Sequence, residues 1–226
     1  MADSSTTASI TICDRIRDDI VAGALPFGSR ITLDLLASRY SVGHMPVREA
    51  LRQLQGEGLI VLAPNRAARV RIVDIDFVRN IFDLRIAIEA MLARRAAERI
   101  EKSRIAVLET IQAEFEARAR VRDYAALLRI NRQFHSVINE AACNPEAEIV
   151  LDRHRRLIAA LWTLHGYGED RPAGVISDHR HIIGALAAHD ADVAASLAMA
   201  HAAKAKQELI ARMLANAALA SSDAAA

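Results

Sequence analysis

Four side chains in the second half of the chain have the types and spacing of a ligand set. Asn131 and His135, in the run NRQFH, are four residues apart, so a helix stacks them one above the other on one face. His179 falls near the start of a later helical segment and His201 in the middle of the next, and an antiparallel bundle can bring both beside the first pair. Three imidazoles and one oxygen suit a divalent cation and leave positions open for a bidentate carboxylate. The chain has eight histidines, and for each the plainer reading is a surface or hydrogen-bonded core residue. His154, His165 and His189 read as surface or loop residues, while His181, two positions from His179, is a spare candidate for hydrogen bonding a ligand.

A second constellation lies near the start. In SVGHMPVREALRQLQGEGLI, Ser41 to Ile60, Ser41, Val42 and Gly43 make a turn. Pro46 suits a first helical turn, where its missing N–H would be unpaired anyway, and Gly58 can close the helix in the left-handed conformation. Leu51 and Leu54 then point to a core, while Arg48 and Arg52, four apart, share the outer face. Before this stretch, Ile12, Ile16 and Ile20 recur every four residues up to Gly23, LPFGSR reads as a loop, and Thr32 offers an N-cap to TLDLLASRY. Two short helices joined by a tight turn form a helix-turn-helix. LIVLAP and RVRIV follow with the pattern of a two-stranded hairpin, a wing.

The second helix of such a unit lies in the major groove and offers its N-terminal residues to base edges. Arg48 stands there and can grip guanine O6 and N7 with two hydrogen bonds, with Arg52 beside it and His44 in the turn. Arg30, at the start of the second helix, and Arg66 and Arg69, at the hairpin tip, are placed for phosphate or minor-groove contacts. Between Leu25 and Ile72 seven arginines face only Asp34, Glu49 and Glu57, although the whole chain carries a formal charge of +1. A single arginine on an arbitrary helix is usually part of a solvated face; helix, turn, helix and wing in that order favour a polyanion partner.

The elements that must position these residues are mainly helical. The 226 residues are rich in Ala and Leu and poor in aromatics, glycine and proline, which favours helix over sheet. From Phe77 onward the pattern is long helical segments, the first with an apolar stripe of Phe77, Ile81, Leu84, Ile88 and Met91. Others run from about Arg104 to Arg120, Arg122 to Ala142, Pro145 to Leu164, Ala173 to Ala188 and Ala191 to Ala217, an antiparallel bundle of about six helices. Asp74 to Asp76 reads as the linker. Cys13 and Cys143 lack CxxC spacing and read as reduced thiols; no secretory leader or membrane-length apolar run is expected, which points to a cytoplasmic protein.

PVREALRQLQGEGLI resembles the recognition-helix signature of the GntR family of bacterial winged-helix regulators, and LPFGSRIT resembles the turn before it. The helical remainder is similar to that family's FCD effector domain. The resemblance implies a winged helix-turn-helix over residues 8–73 and an all-helical effector-binding and dimerisation domain over 77–217. It also implies a homodimer on double-stranded operator DNA, a repressor released by a small carboxylic acid. Gly43, His44 and Met45 stand where the family commonly has Ser, Arg and Thr, and Ala67 where it has the wing glycine. The family's metal-binding branch implies the set Asn131, His135, His179 and His201, with Asn131 where aspartate is commoner, and Zn²⁺ is preferred over Ni²⁺ or Mn²⁺. Arg85, in DLRIAIE, matches an arginine that pairs with an effector carboxylate or a buried acid; a structural ion pair with Glu89, four residues on, reads equally well.

Two other classes compete. A histidine metal centre can activate water in a helical enzyme, but the chain has no HExxH, no nucleophile elbow and no paired carboxylates near the histidines in sequence. A purely structural or metal-binding helical module would gain nothing from a basic winged segment.

Overall fold

The computed structural model describes residues 3–62 and 68–223. In chain order the elements are α1 (Asp3–Val21), β1 (Arg30–Ile31), α2 (Leu33–Tyr40), α3 (His44–Gly56), β2 (Ile60–Leu62), β3 (Ala68–Val70), α4 (Ile75–Ala97), α5 (Lys102–Arg120), α6 (Tyr124–Ala141), α7 (Pro145–His165), α8 (Arg171–Ala187) and α9 (Ala191–Asp223). The chain divides into two compact units, one of residues up to 77 together with 152–164, the other of 78–151 and 165 onward.

In the first unit, α1 buries Ile12, Ile16 and Ile20, and α3 answers with Val47, Ala50, Leu51 and Leu54. Each large aliphatic side chain of this kind contributes about 1.5–3 kcal/mol when taken fully out of water. Local chemistry sets the helix ends. The Thr32 side chain accepts from the Leu35 N–H at 3.2 Å at the start of α2. Gly58 at φ +76° follows α3, so that the Leu59 N–H reaches back to the Leu54 carbonyl at 2.9 Å. Ion pairs cross between the helices: Arg17 of α1 grips Glu57 at 2.9 Å, and Asp19 accepts from Arg39 Nε at 2.6 Å and the Tyr40 hydroxyl at 2.7 Å.

The wing departs from the expected two-stranded hairpin. Residues Arg30–Ile31 pair antiparallel with β3, giving a three-stranded sheet of order β1–β3–β2. Arg30 is therefore a strand residue rather than the start of α2, and Arg69 lies in the middle of β3 rather than at the tip. The hairpin tip, with Arg66 and Ala67, lies outside the described residues.

The second unit is α-helical among its described residues, with α5 packed on α6 and on α8, and α8 on α9. Its core joins Leu92, Ala93 and Ala96 of α4, Leu108 of α5, Phe134, Val137 and Ile138 of α6, and Ile182, Ile183 and Leu186 of α8. Asp74 caps α4 by accepting from the Phe77 N–H at 2.8 Å, so the helix starts within the expected linker. Its buried stripe is Val78, Ile81, Phe82, Glu89, Leu92, Ala93 and Ala96, and Leu84 is 55% exposed. The expected stripe is shifted because α4 carries apolar residues on two faces, and packing selects one of them.

Candidate functional site

On the first unit Arg30, Arg48, Arg52 and Arg69 are all exposed to solvent. Arg48 is exposed on the first turns of α3, while Val47 and Leu51 beside it are buried, and it makes no ion pair among the described residues. Arg52, one turn on, is exposed and 3.6 Å from Glu49. His44 is the first residue of α3 rather than a turn residue, and its Nε2 lies 3.0 Å from Asp34 Oδ1. Met45 is exposed in the same first turn, an apolar neighbour able to meet a thymine methyl. Arg30 and Arg69 are Cα partners across β1 and β3, and Arg69 Nη1 donates to the Gly28 carbonyl at 2.6 Å. Gly28 holds φ +80°, and that loop conformation turns its carbonyl toward the sheet arginine.

In the second unit the chain brings three of the four predicted ligands together. The ligand atoms of His135 on α6, His179 on α8 and His201 on α9 all lie within 4.8 Å of one another. Their ring centroids are 5.1–5.6 Å apart. His179 is completely buried and stacks on Phe134 at 3.8 Å with the rings nearly parallel. Asn131 is one turn before His135, and its Oδ1 is buried with no hydrogen-bond partner; His179 Nε2 is buried and unpartnered as well. Two orphaned lone pairs in a buried site are costly unless a cation or donor meets them. That donor chemistry, neutral imidazoles and an amide oxygen, fits a divalent metal ion.

The imidazole protons are placed by neighbours. Gln112 of α5 is buried; its amide N–H donates to Glu116 at 3.0 Å, so its Oε1 turns to His179 Nδ1, also at 3.0 Å. An amide oxygen can only accept, so Nδ1 of His179 carries the proton and Nε2 presents its lone pair. Asp178, held by Lys204 at 2.5 Å, accepts from His201 Nδ1 at 3.2 Å with the same consequence. Burial, followed by the fields of His201, His135 and Arg171, holds His179 well below its ordinary pKa, which keeps the ring neutral. Burial pushes the Asp178 carboxyl up, but its bonds to His201 and Lys204 prevail and leave it below the usual value.

Arg85 and Glu89 of α4 form the ion pair that was one of two readings of Arg85, with Arg85 Nη2 2.5 Å from Glu89 Oε1. Glu89 is 8% exposed, and Arg85 Nε is buried without a hydrogen-bond partner. Burial raises the Glu89 carboxyl, yet Arg85 and the nearby His135 and His201 outweigh that effect and hold it below its ordinary value. His181 does not join the group: it is exposed, because two residues along a helix turn the side chain to the far side from His179. Gln112, Glu89 and Asp178 were not singled out in the sequence as members of the site. Gln112 and Glu116 at a four-residue spacing were the available signal for one of them.

No helix among the described residues is long and apolar enough to cross a membrane. Residues 80–204 match the FCD domain, and residues 9–70 match the bacterial regulatory proteins of the gntR family. The chain is 27% identical over 180 residues to the HTH-type transcriptional repressor RspR of Escherichia coli K12, covering 78% of each. It is 28% identical over 202 residues to a D-xylose utilization operon repressor of Paenarthrobacter nicotinovorans, covering 85% of this chain and 86% of that one. The solved structure of McbR/YncC from E. coli shares the fold with a TM-score of 0.66 at 22% identity, over 92% of this chain and 98% of the other. RspR and the Paenarthrobacter protein carry the names of transcriptional repressors rather than of enzymes. With a winged head and a helical domain each matched along its length, the chain belongs to the gntR family of bacterial regulatory proteins and carries an FCD domain.

Proposed function

We propose that the protein is a homodimeric repressor whose grip on operator DNA is controlled by a small carboxylate bound in the helical domain. The observation that carries the DNA half is Arg48, exposed and without an ion-pair partner among the described residues, at the N-terminal turns of a recognition helix that also exposes Arg52, in a unit whose sheet exposes the paired Arg30 and Arg69. Arg48 reads a guanine edge, while the strand arginines and Arg66 neutralise phosphates. Two copies related by a two-fold axis bind a pseudo-palindromic site, since half-site spacing mirrors protein symmetry. RspR and the Paenarthrobacter protein are described as repressors, which supports that sign of regulation here.

The sensing half rests on the orphaned Asn131 Oδ1 and His179 Nε2. His135, His179, His201 and Asn131 would hold a divalent cation, Zn²⁺ ahead of Ni²⁺ or Mn²⁺, and Arg85 would meet the effector carboxylate. When bound, the cation supplies a fixed positive charge to which a carboxylate oxygen can be ligated. The effector acts only if it binds the DNA-incompetent arrangement better than the competent one. The test is a mobility shift of the full-length protein on duplex DNA from upstream of its own gene, across a salt series. A retarded band that weakens with salt supports the reading, and no shift at any salt rejects it.

A further inference from the structure

We propose that Glu116 is a positioning residue of the histidine centre: acting through the Gln112 amide, it selects the tautomer of His179 whose Nε2 is free to bind a divalent cation. This inference rests on the metal reading above and deepens it.

A neutral imidazole can carry its proton on either nitrogen, and only the bare nitrogen can ligate a metal. At His201 a single neighbour makes the choice, because Asp178 accepts from Nδ1 at 3.2 Å and a carboxylate has nothing to donate. At His179 the neighbour of Nδ1 is an amide, with Gln112 Oε1 at 3.0 Å. Turned by 180°, that amide presents an N–H in place of its oxygen. It would then donate to Nδ1, and the ring proton would sit on Nε2, where a cation needs a lone pair. Gln112 alone therefore fits either tautomer. Both side chains are completely buried, so the choice falls to protein groups.

Glu116 breaks the tie. One turn along α5, its Oε1 accepts from Gln112 Nε2 at 3.0 Å. The same oxygen accepts from Arg180 Nε at 2.8 Å and lies 2.7 Å from Arg180 Nη2. The bond from Gln112 and those from Arg180 outweigh the opposing effect of burial and hold the Glu116 carboxyl below its ordinary pKa, so it is ionised and can only accept. A flipped Gln112 would set its oxygen against this carboxylate and lose a hydrogen bond in a buried place. Phe134, stacked on His179 at 3.8 Å, and Phe115 at 5.6 Å hold the plane of the imidazole, which leaves the position of its proton to be chosen. Glu116 is partly buried and Arg180 exposed, so an ion pair that reaches the surface acts on a buried ligand through two hydrogen bonds.

The experiment uses full-length protein stripped with chelator and labelled with ¹⁵N-histidine. Long-range proton–nitrogen spectra at neutral pH show which ring nitrogen is protonated, and the signals missing from His179→Gln assign that ring. Wild type should carry the His179 proton on Nδ1. Glu116→Lys replaces an acceptor by a donor, so Gln112 turns over and the proton moves to Nε2; Zn²⁺ affinity by calorimetry falls about tenfold or more. Adding Gln112→Glu to Glu116→Lys restores an acceptor at Nδ1 and should return both the proton and most of the affinity. A merely structural pair would give no such rescue. Should Glu116→Lys fail to fold by circular dichroism, Glu116→Leu removes the acceptor, and both His179 tautomers should appear. A proton that stays on Nδ1 in the Glu116 variants overturns the proposal even if affinity falls, since a change of charge alone weakens metal binding without moving it. A wild-type proton on Nε2 overturns it as well. Wild type with the proton on Nδ1 but no Zn²⁺ uptake overturns the metal reading and leaves the hold of Glu116 on the tautomer standing.

Discussion

Arg30 and Arg69 are Cα partners in the antiparallel β1–β3 pairing, and both are exposed. Like charges directly opposite on a sheet repel, so the arrangement costs the free protein some stability that a polyanion would return. Arg69→Ala and Arg30→Ala should each weaken duplex binding about equally on all sequences. Each should also reduce the slope of log affinity against log salt by about one. Fluorescence anisotropy over a salt series checks this. A slope as steep as the parent's would mean that neither arginine meets a phosphate.

Arg48 should behave differently, because a base contact carries sequence information and a phosphate contact does not. Arg48→Ala is expected to cost about 1–3 kcal/mol on the operator, roughly 10- to 100-fold, with little change on unrelated DNA. Its side chain is exposed and unpaired among the described residues, so Tm should stay within about 1 °C of wild type. Equal losses on both DNAs would reassign Arg48 to backbone contact.

The legible parts of the molecule were those set by local chemistry. The Thr32 cap, the Gly58 closure and the Ile12, Ile16, Ile20 repeat each depend on residues within a turn or two, and all appear as expected. Strand β1 was not legible, because two residues carry no period and their pairing is chosen by β3 some forty positions away. Histidines announce themselves by type, whereas Gln112 and Glu89 belong to types that usually face water. Their burial follows from how α4 and α5 dock in the core, which no local pattern encodes. His181 stands two residues from His179 yet is exposed, because nearness along a helix is not nearness in space.

Gln112 and Asp178 should tune metal affinity without touching the ion. Each fixes an imidazole proton on Nδ1, and losing such a partner typically costs 10- to 100-fold in affinity. Gln112→Glu offers a carboxylate to the same His179 N–H and should bind metal at least as well as wild type. Gln112→Leu should bind it about tenfold or more weakly. Calorimetric titration with Zn²⁺ separates them, and identical affinities would remove Gln112 from the site's support.

Asp19 ties α1 to α2 through Arg39 and Tyr40. Burial raises its carboxyl, but the bonds from Tyr40 and Arg39 prevail, and the pKa lies below the usual 3.8. A depressed folded value means that the unfolded chain takes up the proton first as pH falls. The contribution is therefore complete above the unfolded pKa and is lost as pH drops through the folded one. Asp19→Asn should destabilise the winged unit by about 1–2 kcal/mol at neutral pH. The difference from wild type should shrink below pH 4, as followed by urea denaturation, and a difference unchanged at pH 3 would deny Asp19 this role.

Asn131→Asp tests whether the centre is short of negative charge. In metal-free protein the new carboxylate would replace a buried oxygen that has no donor, on the same helix face as His135. Its desolvation should lower the metal-free Tm by several degrees. Adding a divalent cation reverses the sign, because the same carboxylate becomes an anionic ligand; affinity should rise on the order of tenfold, the scale on which ligand charge tunes cation sites. The metal-induced Tm shift should therefore exceed that of wild type, even though the metal-free variant starts lower. A variant that loses stability without binding metal more tightly would place Asn131 outside the coordination set and leave the three histidines to hold the ion.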